Sequence, residues 1–86
     1  MYVAQIAIRF KEGLHARPAA DFVKLANRFC SAAHLVYNGR EANGKSILSV
    51  MALGVNHGEE VSLLVEGEDA EDAFKLLKEY LTGETV

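Results

Sequence analysis

Eighty-six residues suffice for one domain, expected over 1–86, and a chain of this size buries only roughly 60–65% of its unfolded surface. Half of the residues are apolar and 24% charged, an ordinary globular composition. Nine Lys+Arg against 12 Asp+Glu leave a net charge of −3, which argues against non-specific binding of nucleic acid and against a polybasic membrane contact. No apolar stretch approaches the roughly 18 residues of a membrane span, and Met1-Tyr2-Val3-Ala4 lacks the order of a signal peptide. Cys30 stands alone, so no internal disulfide forms and a reducing, cytoplasmic location is expected.

In chain order, residues 2–9 alternate, with Tyr2, Ala4, Ile6, Ile8 and then Phe10 in one phase, and predict a half-buried strand. From Ala16 to Phe29 the period becomes helical, with Ala19, Phe22, Val23, Ala26 and Phe29 on one face. Pro18 fits because it falls in the first turn, where amides have no partner within the helix. Cys30, after the helix end, is expected to be a small buried hydrophobe. Ala33, Leu35 and Tyr37 mark a second strand, Asn38-Gly39 a type I′ hairpin turn, and Arg40–Asn43 a polar edge strand.

Ser46 reads as the N-cap of a short helix carrying Ile47, Leu48, Val50 and Met51, stopped by Gly54. Residues 60–66 alternate again with Val61, Leu63 and Val65 inward. Asp69 is expected to cap a last helix with Ala70, Ala73, Phe74, Leu77, Tyr80 and Leu81 on one stripe. The order β-α-β-β-α-β-α predicts an α+β fold: an open-faced two-layer sandwich in which three helices cover one face of an antiparallel four-stranded sheet. The other face is expected to be solvated and to carry Gln5, Arg9, His34, Ser62 and Glu66.

The segment richest in chemistry is Gly13-Leu14-His15-Ala16-Arg17-Pro18. A glycine turn brings His15 to a helix N-terminus, where free amides and a partial positive charge attract anions. Arg17 adds a cation for charge-assisted bonds to phosphate or carboxylate oxygens. A histidine at a helix start can equally be a plain cap and Arg17 a solvated side chain. The conjunction of glycine, His, Arg and first-turn Pro points instead to an imidazole nitrogen that attacks a phosphoryl group and has its new charge held by these donors.

Gly13–Ala19 resembles the active-site signature of the histidine-containing phosphocarrier (HPr) family of the bacterial phosphoenolpyruvate:sugar phosphotransferase system. The similarity continues through Tyr37-Asn38-Gly39, Lys45-Ser46-Ile47 and Val50-Met51-Ala52-Leu53-Gly54 to the helix from Asp69, nearly the whole chain. It implies a carrier, not an enzyme acting alone: His15, through Nδ1, accepts a phosphoryl group from Enzyme I and donates it to the IIA domains of sugar permeases, assisted by Arg17. It implies no cofactor and no metal, Mg²⁺ belonging to the partner enzymes, and a monomer is expected. His15 separates the chain from the catabolite-repression paralogue, in which the active histidine is replaced and only the serine works.

By the same resemblance Ser46 is a regulatory phosphosite for an HPr kinase/phosphorylase and, once phosphorylated, for a transcription regulator in carbon or nitrogen control. A phosphate on an N-cap suits the helix dipole while placing roughly two negative charges beside Ile47, Leu48 and Met51. These three cannot all be buried on so short a helix and are expected to form a docking patch. Ala16 and Ala20 would let a partner approach His15 closely. Glu12 is expected to be solvated. Gly44, in place of a larger aliphatic residue, is expected to loosen the approach to the helix of Ser46.

A competing class lies in Gly39-Arg40-Glu41-Ala42-Asn43-Gly44-Lys45-Ser46, which matches the G-x-x-x-x-G-K-[ST] phosphate loop of nucleotide hydrolases. Against it, the hairpin would turn Arg40–Asn43 into a strand, and the remaining chain cannot supply βαβ units of roughly 30 residues each. A pure regulatory module acting through phospho-Ser46 is the second alternative. His34 reads as a strand residue on the solvent side and His57 as a turn residue, with no metal-ligand spacing between them.

Overall fold

The computed structural model describes residues 1–83; residues 84–86, the tail of the expected domain, lie outside them. Seven elements follow one another: β1 (Tyr2–Ala7), α1 (Ala16–Ala26), β2 (Ala32–Tyr37), β3 (Arg40–Asn43), α2 (Ile47–Ala52), β4 (Glu60–Glu66) and α3 (Ala70–Thr82). The strands form one antiparallel sheet in the order β1-β4-β2-β3. This is the expected open-faced sandwich, with the three helices over one face.

Alternation decides which side chains face the helices. Val61, Leu63 and Val65 of β4 are fully buried, as are Leu35 and, nearly so, Ala33 on β2. The register aligns Ala4 with Leu63, Leu63 with Leu35, and Leu35 with Ala42, so one apolar row crosses all four strands. Ala42 lets even the polar edge strand contribute to the core. From the helical layer come Phe22 of α1, Val50 of α2, and Leu77 and Leu81 of α3, all without exposed surface. At roughly 25 cal/mol per Å² this burial is the main stabilising term of a chain without disulfides. Asn38 and Gly39, with φ of 52° and 74°, form the hairpin turn that both residue types tolerate.

Several local expectations give way to longer-range contacts. The first strand stops at Ala7, although Ile8 still donates to Glu59 at 2.9 Å and accepts from Gly58 at 2.8 Å. Helix α1 ends at Ala26, not Phe29. The Asn27 side-chain amide donates to the Val23 carbonyl at 2.9 Å and to that of Lys45 at 3.2 Å, which turns the chain out of the helix. Phe29 still packs on the core, but from a turn. Cys30, four residues beyond the shortened helix, is exposed and not a buried hydrophobe.

Asp69 precedes α3 but makes no side-chain cap. Its carboxylate accepts from the amides of Cys30 at 3.0 Å and Ser31 at 2.9 Å and from the Ser31 hydroxyl. Gly44 does not loosen its neighbourhood. It is buried, donates to the Ala33 carbonyl at 2.7 Å, and a Cβ there would lie 3.1 Å from the Phe22 ring. Arg9 leaves the open sheet face: its guanidinium stacks over Phe10 and donates to the Tyr80 carbonyl at 3.3 Å, near the end of α3. On that open face Gln5 and Glu66 are exposed and Ser62 is half-buried, while His34 Nδ1 lies 3.0 Å from the Glu41 carboxylate.

Candidate functional site

The position of His15 is set by what precedes it. Gly13, at φ 74°, lies against the loop before β4 so closely that a Cβ would come within 2.1 Å of the Val55 carbonyl oxygen. Only glycine meets both conditions. Leu14 then donates to Val55 O at 3.0 Å and is completely buried. The Val55 loop is itself tied down: Asn56 N–H donates to Glu59 Oε1 at 2.8 Å. The Tyr37 hydroxyl also hydrogen-bonds the Glu59 carboxylate, raising the Tyr37 phenol above its ordinary range and holding Glu59 below its own.

On this platform His15 is extended, φ −126° and ψ 167°, and is the N-cap of α1. Its side chain makes no capping hydrogen bond, so the imidazole is free for other chemistry and is only partly covered. The first-turn amides of Ala16 and Arg17 have no acceptor within the helix, Pro18 has no N–H to satisfy, and no acidic residue lies in that turn. Ala16 carries φ 49°, a left-handed conformation unusual for a residue with a Cβ, at a cost of about 1–2 kcal/mol. Ala16 is exposed and Ala20 half-buried, and neither carries a bulky side chain. The Arg17 side chain is exposed and free of hydrogen bonds among the described residues. Glu12 is exposed. The arrangement offers a partly exposed imidazole, unpaired amides and an exposed cation on an open surface, with no pocket among the described residues.

The second group lies on α2, which packs against α1 and β3. Ser46 is its N-cap, and Ser46 Oγ accepts from Ser49 N–H at 3.3 Å. Only Val50 of the short helix is buried, whereas Ile47, Leu48 and Met51 are 40%, 78% and 36% exposed. They form an apolar surface patch, as the length of the helix required.

Residues between the two groups had escaped sequence reasoning. Lys45 Nζ donates to the Phe29 carbonyl at 2.7 Å, Asn27 bonds the Lys45 carbonyl, and Arg40 Nη2 donates to Leu53 O at 2.8 Å at the end of α2. The amide after a helix end was the available signal for Asn27; for Lys45 the phosphate-loop spacing masked it. That spacing holds no nucleotide cradle here. Arg40–Asn43 pairs with β2 as a strand, every strand pairing is antiparallel, and Lys45 is spent on a carbonyl. Among the described residues no group of three or more His, Cys, Asp or Glu could hold a metal, and no helix is long and apolar enough to cross a membrane.

Residues 3–83 match the family described as the PTS HPr component phosphorylation site. The chain belongs to the HPr family. Among curated relatives it is 44% identical over 84 residues to the HPr-like protein Crh of Bacillus subtilis, covering 98% of this chain and 99% of that protein. The crystal structure of an HPr from Thermoanaerobacter tengcongensis superimposes with a TM-score of 0.89 at 43% identity, over all of both chains. Crh of Bacillus subtilis, in a crystal structure described as a swapped dimer, superimposes with a TM-score of 0.81 at 43% identity, over 100% of this chain and 99% of that one. This HPr-family chain thus resembles both a phosphocarrier and a catabolite-repression protein, and solved relatives of both kinds are described as dimers.

Proposed function

We propose that this protein is a phosphoryl carrier of the phosphotransferase system, with His15 as acceptor. The observation that carries the reading is the uncapped His15 imidazole at the N-terminus of α1, beside free amides and an exposed Arg17. A ring nitrogen of His15 attacks the phosphorus of the phosphoryl group on Enzyme I, the bond to the donor breaks, and the group then passes to an IIA domain. Arg17 and the first-turn amides offset the charge on the phosphoryl oxygens. By the resemblance drawn from the sequence, a histidine here is what a purely regulatory member lacks. The partners supply the catalysis, so the chain is a carrier rather than an enzyme, in the cytoplasm. We take the carrier as a monomer, against which the swapped Crh dimer stands as the alternative assembly.

The test is intact mass after incubation with phosphoenolpyruvate and Enzyme I, beside His15→Ala. One acid-labile phosphoryl adduct, absent from the variant, is the expected result; no adduct with an Enzyme I that charges another HPr overturns the carrier reading.

A second reading, favoured by the Ser46 cap and the exposed patch beside it, is regulation through phospho-Ser46. An HPr kinase/phosphorylase would transfer the γ-phosphoryl group of ATP to Ser46 Oγ, and the modified surface of Ile47, Leu48 and Met51 would meet a transcription regulator. The two roles coexist or separate in one variant: His15→Ala abolishes carrier function and leaves serine-dependent binding intact.

A further inference from the structure

The peptide unit that joins Val55 to Asn56 is held at both ends. Its carbonyl accepts from Leu14 N–H at 3.0 Å and lies against Gly13, while its N–H donates to Glu59 Oε1 at 2.8 Å. In a planar trans unit these two groups point in opposite directions. One rigid plane therefore spans the gap between a carboxylate and the residue that precedes His15. Rotation of that plane would break both hydrogen bonds together.

Glu59 is a fixed anchor for the plane. It is half-buried, and its own backbone is tied twice. Its N–H donates to the Asn56 carbonyl at 3.1 Å, and its carbonyl accepts from Ile8 N–H at 2.9 Å, just past the end of β1. Ile8 is buried in the core, so the anchor is referred to the sheet. The Tyr37 hydroxyl and then the Asn56 amide hold the Glu59 carboxyl below its ordinary value. A charged acceptor forms the stronger hydrogen bond, and it polarises the peptide so that the carbonyl accepts more strongly from Leu14. The His15 ring makes no capping hydrogen bond. Its place is accordingly set by the backbone of Gly13 and Leu14.

We propose that Glu59 is a positioning residue for phosphoryl transfer at His15, acting through the Val55–Asn56 peptide unit and Leu14. This deepens the carrier reading of His15 and rests on it. Through Ile8 and Glu59 the sheet fixes where the imidazole meets its donor, although Glu59 touches neither the ring nor the phosphoryl group.

The experiment compares the wild type, Glu59→Gln and Glu59→Ala after thermal melts show that all three are folded. Phosphoramidate serves as donor and needs no partner protein. The electron pair of a His15 ring nitrogen forms the new bond to phosphorus, and the pair of the broken phosphorus–nitrogen bond leaves with ammonia. The rate is read by intact mass. Exchange of the Leu14 amide is followed by NMR, with the amide of Leu63, in the middle of β4, as the reference for global opening. Glu59→Ala should phosphorylate about three- to tenfold more slowly, within the roughly hundredfold that a 1 Å misplacement can cost. Its Leu14 amide should exchange roughly tenfold faster relative to Leu63, the loss expected for one charge-assisted hydrogen bond. Glu59→Gln, whose side-chain oxygen can accept the same N–H, should recover most of both. A purely electrostatic effect is separated by the same pair, because both variants remove the charge and relief of repulsion would speed both. A wild-type rate in Glu59→Ala, equal rates in the two variants, or Leu14 and Leu63 exchange that quickens by the same factor overturns the proposal. Failure of transfer from Enzyme I to the wild type would overturn the carrier reading, while the phosphoramidate rates and Leu14 exchange would still decide the role of Glu59.

Discussion

The carboxylate of Asp69, at the start of α3, accepts the backbone N–H of Ser31 at 2.9 Å and so clasps the turn between α1 and β2 from the far side of the sequence. Gly67 lies so close to Ser31 that a Cβ there would meet its side chain within 2.6 Å. The hydrogen bonds from the Ser31 hydroxyl and then from the Cys30 amide hold Asp69 below the ordinary carboxylate value of 3.8. Because the folded state depresses this pKa, the clasp stabilises the fold fully above about pH 3.8 and is lost as the pH falls below it. The urea midpoint of the wild type should drop over that window, and Asp69→Asn should have a lower midpoint at neutral pH and a flatter acid limb. Parallel acid limbs in the two proteins would contradict the assignment.

Gly13→Ala tests the platform under His15. The substitution combines a left-handed backbone with a methyl group against the Val55 carbonyl, so a loss of about 2–4 kcal/mol is expected. If the loop yields instead, His15 moves with it. Denaturant unfolding and the phosphorylation rate should therefore both suffer, and a variant with wild-type values in both would show that the close approach is unimportant.

Ser46 has two separable tasks. Ser46→Ala removes the acceptor for Ser49 N–H and should cost about 1 kcal/mol by thermal or urea unfolding. Ser46→Asp keeps a good cap, so stability should stay near wild type while the added charge weakens docking at Ile47, Leu48 and Met51. Leu48, at 78% exposed, is the cleaner probe of that patch. Leu48→Ser should change stability by no more than about 0.5 kcal/mol, yet weaken phosphoryl transfer from Enzyme I roughly tenfold if this residue anchors the contact.

Lys45→Met removes the ammonium from the Phe29 carbonyl. A loss of about 1–2 kcal/mol is expected for a charge-assisted bond to a turn carbonyl. Millimolar ATP should not raise the melting temperature of either protein, whereas a nucleotide site at Gly39–Ser46 would stabilise the wild type and not the variant.

Where the determining interactions are local, they were legible in the residues. The type I′ turn at Asn38-Gly39, the alternation of β4, the Ser46 cap and the glycine turn before His15 each depend on residues a few positions apart. The surface status of Leu48 followed from counting: six helical residues cannot bury four large side chains. The element order then left few ways to cover one sheet face, so the architecture followed as well.

What the tertiary structure decided are the partners of polar side chains that the chain brings together from far away. Asp69 looks like a cap by position, but Ser31, 38 residues earlier, offers its carboxylate an amide and a hydroxyl at once. Lys45 looks like a phosphate-loop lysine until Phe29, 16 residues away, presents the carbonyl of the turn after α1. Arg9 follows the phase of the open face, yet the Tyr80 carbonyl, 71 residues on, and the Phe10 ring hold it on the other side. Apolar periodicity is written along the chain because burial needs only a face. A hydrogen bond needs one particular partner at one distance and angle, and only the assembled fold determines which group that is.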